Sequence, residues 1–93
     1  MTVGIEVIWL PVAIEQLLSI IDHISGDNPV AAVELAQTIR AAADTLTRYP
    51  NRYRAGRING TRELVVKPNY IIVYRVTDRV EILRVRHARR QHL

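Results

Sequence analysis

Between Arg62 and Arg90 the chain runs through three apolar stretches of strand length, parted by two short breaks, Pro68-Asn69 and Asp78-Arg79. Proline, asparagine and aspartate suit tight turns, so about Thr61 to Lys67, Tyr70 to Thr77 and Val80 to Arg86 predict an antiparallel meander. Such a sheet must bury at least one face, and the rest of the chain has to supply the cover. The middle stretch, Tyr70-Ile71-Ile72-Val73-Tyr74, is apolar on both faces and reads as the central strand. In the last stretch, alternation puts Glu81, Leu83, Val85 and His87 on one side and Val80, Ile82, Arg84 and Arg86 on the other. Ile72, Val73, Leu83 and Val85 are the expected core of this region.

The cover lies upstream. Ile5 to Leu10 is rich in β-branched and aromatic types and fits a first strand, which Pro11 stops. From about Pro11 to Ser25, the residues Ile14, Leu17, Leu18, Ile21 and Ile24 recur on one helical face. Gly26-Asp27-Asn28-Pro29 closes that helix, with Gly26 suited to a left-handed residue and Asn28 to an N-cap. A second helix follows to about Arg48, with Val33, Ala36, Ile39, Ala43 and Leu46 as its apolar stripe. So short a link forces an antiparallel hairpin. The expected architecture is α+β in the order β-α-α-β-β-β, with the hairpin on one face of a small antiparallel sheet and a concave, arginine-bearing face opposite. Residues 1–93 read as one domain, enough to bury about 60–65 % of the unfolded surface.

Charge is divided along the chain. Residues 1–47 hold one cation, Arg40, against six carboxylates, whereas residues 48–93 hold twelve cations against Glu63, Asp78 and Glu81. The asymmetry points to an anionic partner, nucleic acid or protein. Arg84, Arg86, Arg89 and Arg90 crowd one end of the basic half, and Arg52, Arg54 and Arg57 make a second group after Tyr49-Pro50. With no cysteine there are neither disulfides nor thiolate metal ligands, and stability has to come from packing. No apolar run is long enough for a membrane span, and no secretory leader is visible, so cytoplasmic residence is expected.

The chemistry these residues allow is limited. His23, His87 and His92 lack metal-ligand spacing, Ser19 and Ser25 lack a nucleophile elbow, and the four glycines form no phosphate loop. No metal or cofactor is expected. RNA cleavage without metal needs a base, an acid and cations for the phosphorane. Glu63 and His87 offer the first two, and Arg62, Arg75, Arg84 or Arg86 the third.

The combination of Trp9-Leu10-Pro11-Val12-Ala13, Tyr49-Pro50, Arg62-Glu63-Leu64, Tyr74-Arg75-Val76 and Ile82-Leu83-Arg84-Val85 followed by His87, Arg89 and Arg90 resembles the RelE/ParE superfamily of bacterial type II toxins. The likeness spans nearly the whole chain and is strongest to the ParE branch. It implies a toxin neutralised by a cognate ParD-like antitoxin and directed at DNA gyrase. Arg84, Arg86, His87, Arg89 and Arg90, with Arg52, Arg54 and Arg57, would be the target-binding residues. The RelE branch implies instead a ribosome-dependent mRNA endonuclease, for which His87, Glu63 and Arg84 would be catalytic. RNase members usually carry an arginine where this chain has Ile71, and the lysine pair after the second helix is missing, which favours the gyrase-directed branch.

Overall fold

A computed structural model describes residues 4–66 and 69–89. The elements are β1 (Val7–Trp9), α1 (Pro11–Ser25), α2 (Pro29–Asp44), a short 3-10 turn (Thr45–Thr47), β2 (Arg54–Ala55), β3 (Arg62–Val66), β4 (Tyr70–Val76) and β5 (Val80–His87). They form an α+β fold in which the helical hairpin packs on a five-stranded sheet of order β1-β5-β4-β3-β2. The sheet is mixed rather than purely antiparallel, because β1 lies parallel to β5 while the other neighbours alternate. The two-residue strand β2, inside the segment expected to be a loop, extends the far edge.

Local signals place the helix ends. Asn28 Oδ1 accepts the Ala31 N–H at 3.0 Å and Pro29 opens α2, as a capping asparagine before proline should. Gly26, by contrast, is right-handed at φ −59°, so α1 ends without the left-handed residue. The core joins Ala13, Ile39, Ala43 and Leu46 of the helical layer to Leu64, Val66, Ile72, Tyr74, Val80, Ile82 and Val85 of the sheet.

Two packing expectations are corrected. Ile14 and Leu18 are 43 % and 59 % exposed, and α1 turns Ala13, Leu17 and Ile20 inward instead. Alanine permits close approach of the helix to the sheet. Gln16 also needs that rotation, since its Oε1 accepts the Val85 N–H at 2.9 Å. On α2, Val33 likewise lies outside, while Ile39, Ala43 and Leu46 are buried as read.

The second correction concerns β5. Val73 pairs with Arg84 and Tyr74 with Ile82, so Leu83 is an extra residue, a β-bulge. The bulge reverses the alternation halfway along the strand. Val80 and Ile82 face the helices before it, and Val85 and His87 after it; Glu81, Arg84 and Arg86 face the other way. Leu83 is half-buried and outside the core cluster, and Val73 is buried on the face away from the helices.

Candidate anion-binding face

The face of the sheet opposite the helices collects the arginines. One cross-strand row runs Arg54, Glu63, Val73, Arg84; the next runs Val65, Ile71, Arg86; a third pairs Arg75 with Glu81. Ile71 and Val73 form a buried apolar floor between the cations, at 5 % and 8 % exposure. Arginine stems can lie along such a floor while their heads reach outward.

Glu63 is at the centre. It is 6 % exposed. Its Oε1 accepts from Arg54 Nε at 3.0 Å and Nη2 at 2.9 Å, and its Oε2 accepts from Arg86 Nη2 at 3.3 Å. Arg86 Nη1 is buried with no acceptor. Both oxygens of Glu63 are thus engaged by guanidinium groups, an arrangement that holds cations in place and leaves no lone pair aimed at a substrate proton. Arg75 donates to Glu81 Oε1 through Nε at 2.9 Å and Nη2 at 2.5 Å, and Arg79 lies 3.6 Å from Oε2. The hydrogen bond from Arg75 holds the Glu81 carboxyl below its ordinary range. Arg84 is exposed and, among the described residues, meets no carboxylate.

Other residues singled out from the sequence lie elsewhere. His87 is on the helix face, where it lines a cavity of about 370 Å³ with Ser19, Ile20, His23 and Tyr70. Its Nδ1 accepts the Arg89 N–H at 3.1 Å and its ring meets Tyr70 edge to face, with centroids 5.3 Å apart. Glu63, Arg84 and His87 therefore do not assemble. The bulge at Leu83 and the one-residue step from Arg86 put His87 on the far side of the sheet from the other two. Arg62 also points to the helix side, and its guanidinium holds the backbone carbonyls of Asn51 and Tyr53 at 3.2 and 2.8 Å. Arg52 stacks on Tyr49 and Tyr53, 5.3 and 5.9 Å from their centroids. Arg57 is exposed in the turn after β2 and Arg89 is exposed just past β5; Arg90 lies outside the described residues.

Sequence reasoning treated Arg54 and Arg86 as members of separate groups, but the structure joins them through Glu63. The available signal was Glu63 itself, a lone carboxylate in a strand otherwise apolar at Leu64, Val65 and Val66. Chemically, the face can grip anionic oxygens bidentately through Arg84 and through the outer edges of Arg54 and Arg75. It offers no acid–base pair.

The family model described as the ParE toxin of type II toxin–antitoxin system, parDE, matches residues 7–92. "Toxin RelE2" of Caulobacter vibrioides is 43 % identical over 86 residues, covering 91 % of this chain and 97 % of that protein. A solved structure described as a chromosomal ParDE toxin–antitoxin system from P. aeruginosa superposes with a TM-score of 0.84 at 24 % identity, covering 90 % of this chain and 96 % of that one. The RelBE2 toxin–antitoxin complex from Mycobacterium tuberculosis superposes with a TM-score of 0.63, also at 24 % identity, covering 94 % of each chain. At that identity the two structures speak for the fold. No helix among the described residues is long and apolar enough to cross a membrane.

Proposed function

Because the chain belongs to the ParE toxin family of type II toxin–antitoxin systems, we propose that it arrests growth by binding and inhibiting DNA gyrase, and that a cognate ParD-like antitoxin neutralises it. The supporting observation is the composition of the arginine face. Its centre is apolar at Ile71, its one buried carboxylate is bound by two guanidinium groups, and its histidine candidate lies on the other side of the sheet. Such a face binds anions without a group placed to move a proton. Arg84, Arg86 and Arg54 make the target contact in this reading, with Arg89, Arg90, Arg52 and Arg57 around it; His87 has no part on that face. An acidic, otherwise disordered antitoxin segment would fold on binding to this chain, as charge complementarity favours. The solved relatives described as ParDE and RelBE2 are toxin–antitoxin systems.

The second reading, an mRNA endonuclease acting on the ribosome, draws on the relative named Toxin RelE2. Two assays separate them. The first reading expects the purified chain to block gyrase supercoiling and to leave mRNA on programmed ribosomes intact, with Arg84→Ala weakening the block. Unaffected supercoiling together with mRNA cleavage that disappears in His87→Ala would overturn it.

A further inference from the structure

The connection from Tyr49 to Thr61 is anchored from inside the protein. The hydroxyl of the fully buried Tyr74 donates to the Pro50 carbonyl at 2.9 Å, and Arg62 donates to the carbonyls of Asn51 and Tyr53. Farther out, the Gly56 N–H donates to the Thr61 carbonyl at 2.8 Å. The Ile58 carbonyl accepts both the N–H and the hydroxyl of Thr61, at 3.1 and 2.6 Å. Gly56 sits so close to Thr61 that a Cβ there would collide with the threonine hydroxyl, and Gly60 is left-handed at φ +85°. The tip Arg57-Ile58-Asn59-Gly60 is a fixed turn.

On that fixed turn Ile58 is 65 % exposed, the second most exposed of the large hydrophobic side chains described. Its surroundings carry charge of one sign: Arg48, Arg52, Arg54 and Arg57 lie between Thr45 and Thr61, and the segment holds no carboxylate. A rigid turn bearing one aliphatic side chain among arginines suits a particular class of partner.

We infer that the β2–β3 tip binds duplex DNA, with Ile58 entering the minor groove as a wedge between base steps and the neighbouring arginines on the flanking phosphates. Apolar wedges used in this way include isoleucine, leucine and proline, and they are flanked by cations. A narrow two-stranded tip can approach a groove without disturbing the rest of the fold. A protein pocket is the weaker fit. Its anchors are usually aromatic, and the two tyrosines of this segment already carry Arg52 on their faces. DNA binding by the isolated chain does not require gyrase to be the target.

The test titrates the purified full-length chain into a duplex carrying 2-aminopurine, across salt from about 50 to 200 mM, the range in which phosphate contacts dominate. Affinity should fall with salt, and fluorescence should rise as a base step unstacks. Ile58→Ala should keep the salt slope and lose most of the fluorescence rise, while Ile58→Met keeps both; unchanged melting curves certify folding. Arg57→Gln should flatten the slope by one phosphate, which over this interval is about a 3.5-fold smaller loss of affinity. Absence of salt-dependent binding overturns the inference, and so does a fluorescence rise that survives Ile58→Ala. Loss of target inhibition in Ile58→Ala by a chain that does not bind DNA would make the tip a protein contact and also overturn it.

Discussion

Replacing Glu63 by alanine removes the only carboxylate from between Arg54 and Arg86. Breaking a fully buried pair by deleting one partner costs about 3–5 kcal/mol, because the remaining charge is left without water or counter-ion. Two features of the structure bring that figure down. The Arg54 side chain is 59 % exposed, so water replaces its lost partner and its share is about 0–1 kcal/mol. The Arg86 side chain is 16 % exposed and already has one buried nitrogen without an acceptor, so its share dominates. The expected loss is about 2–3 kcal/mol, short of the fully buried figure because the Arg86 stem can swing toward solvent. At about 4–8 °C per kcal/mol for a domain of this size, the melting temperature should drop by about 8–24 °C. Urea unfolding at neutral pH measures it directly. A cycle with Arg86→Met, which removes the stranded charge, should show a coupling of at least about 1 kcal/mol. A loss under about 0.5 kcal/mol for Glu63→Ala, or additive effects in the cycle, refutes the assignment of Glu63 as the counter-ion of this face.

Three further outcomes can be checked on the same material. Glu81, held below its ordinary value of 4.5 by Arg75, stabilises the fold above that value and loses the contribution as pH falls through the lowered one. Arg75→Gln should therefore reduce stability at neutral pH and flatten its decline below about pH 4.5, as acid titration followed by circular dichroism would show. Tyr74→Phe deletes the hydrogen bond to Pro50 and should cost about 0.5–1.5 kcal/mol, with faster amide exchange across Asn51 to Arg54. Leu18→Ser should change stability by less than about 0.5 kcal/mol, whereas Ile39→Ala should cost about 2–5 kcal/mol, a contrast that tests the rotation of α1 outward at Leu18.

What could be read from the sequence was what neighbouring residues decide between themselves. Asn28-Pro29 specifies a helix start on its own, and the breaks at Pro68-Asn69 and Asp78-Arg79 separate three strands whatever the rest of the chain does. The order of elements and the hairpin followed from these. The bulge at Leu83 did not, because leucine is acceptable in either alternation; it shows only in the pairing of β5 with β4 and in Gln16 reaching Val85 from another element. The rotation of α1 escaped for a related reason. Ala13 and Gln16 carry it, and neither adds to an apolar stripe. The candidate site inherited both errors. Arginines are indistinguishable in a sequence, and only the register decides that Arg84 and Arg86 share a face with Glu63 while His87 and Arg62 do not. β2 was missed because its two residues join the sheet edge through Arg62 and Glu63, and Arg54 is fixed there by the Glu63 carboxylate.

The parallel pairing of β1 with β5 sets Val7 beside Val80, and the carbonyl of Glu6 accepts the Val80 N–H. During synthesis at about 5–20 residues per second the two helices emerge first, with no sheet to receive them. Contacts so distant along the chain also form slowly, since loop closure precedes any gain from burial. The order of manufacture therefore delays assembly of the arginine face to the end of translation. A nascent chain that stops before Val80 holds the whole acidic half and Arg54, Glu63 and Arg75, but lacks both Arg84 and Arg86 and leaves β1 without a neighbour. The last strand to be made is the one that allows the first to dock.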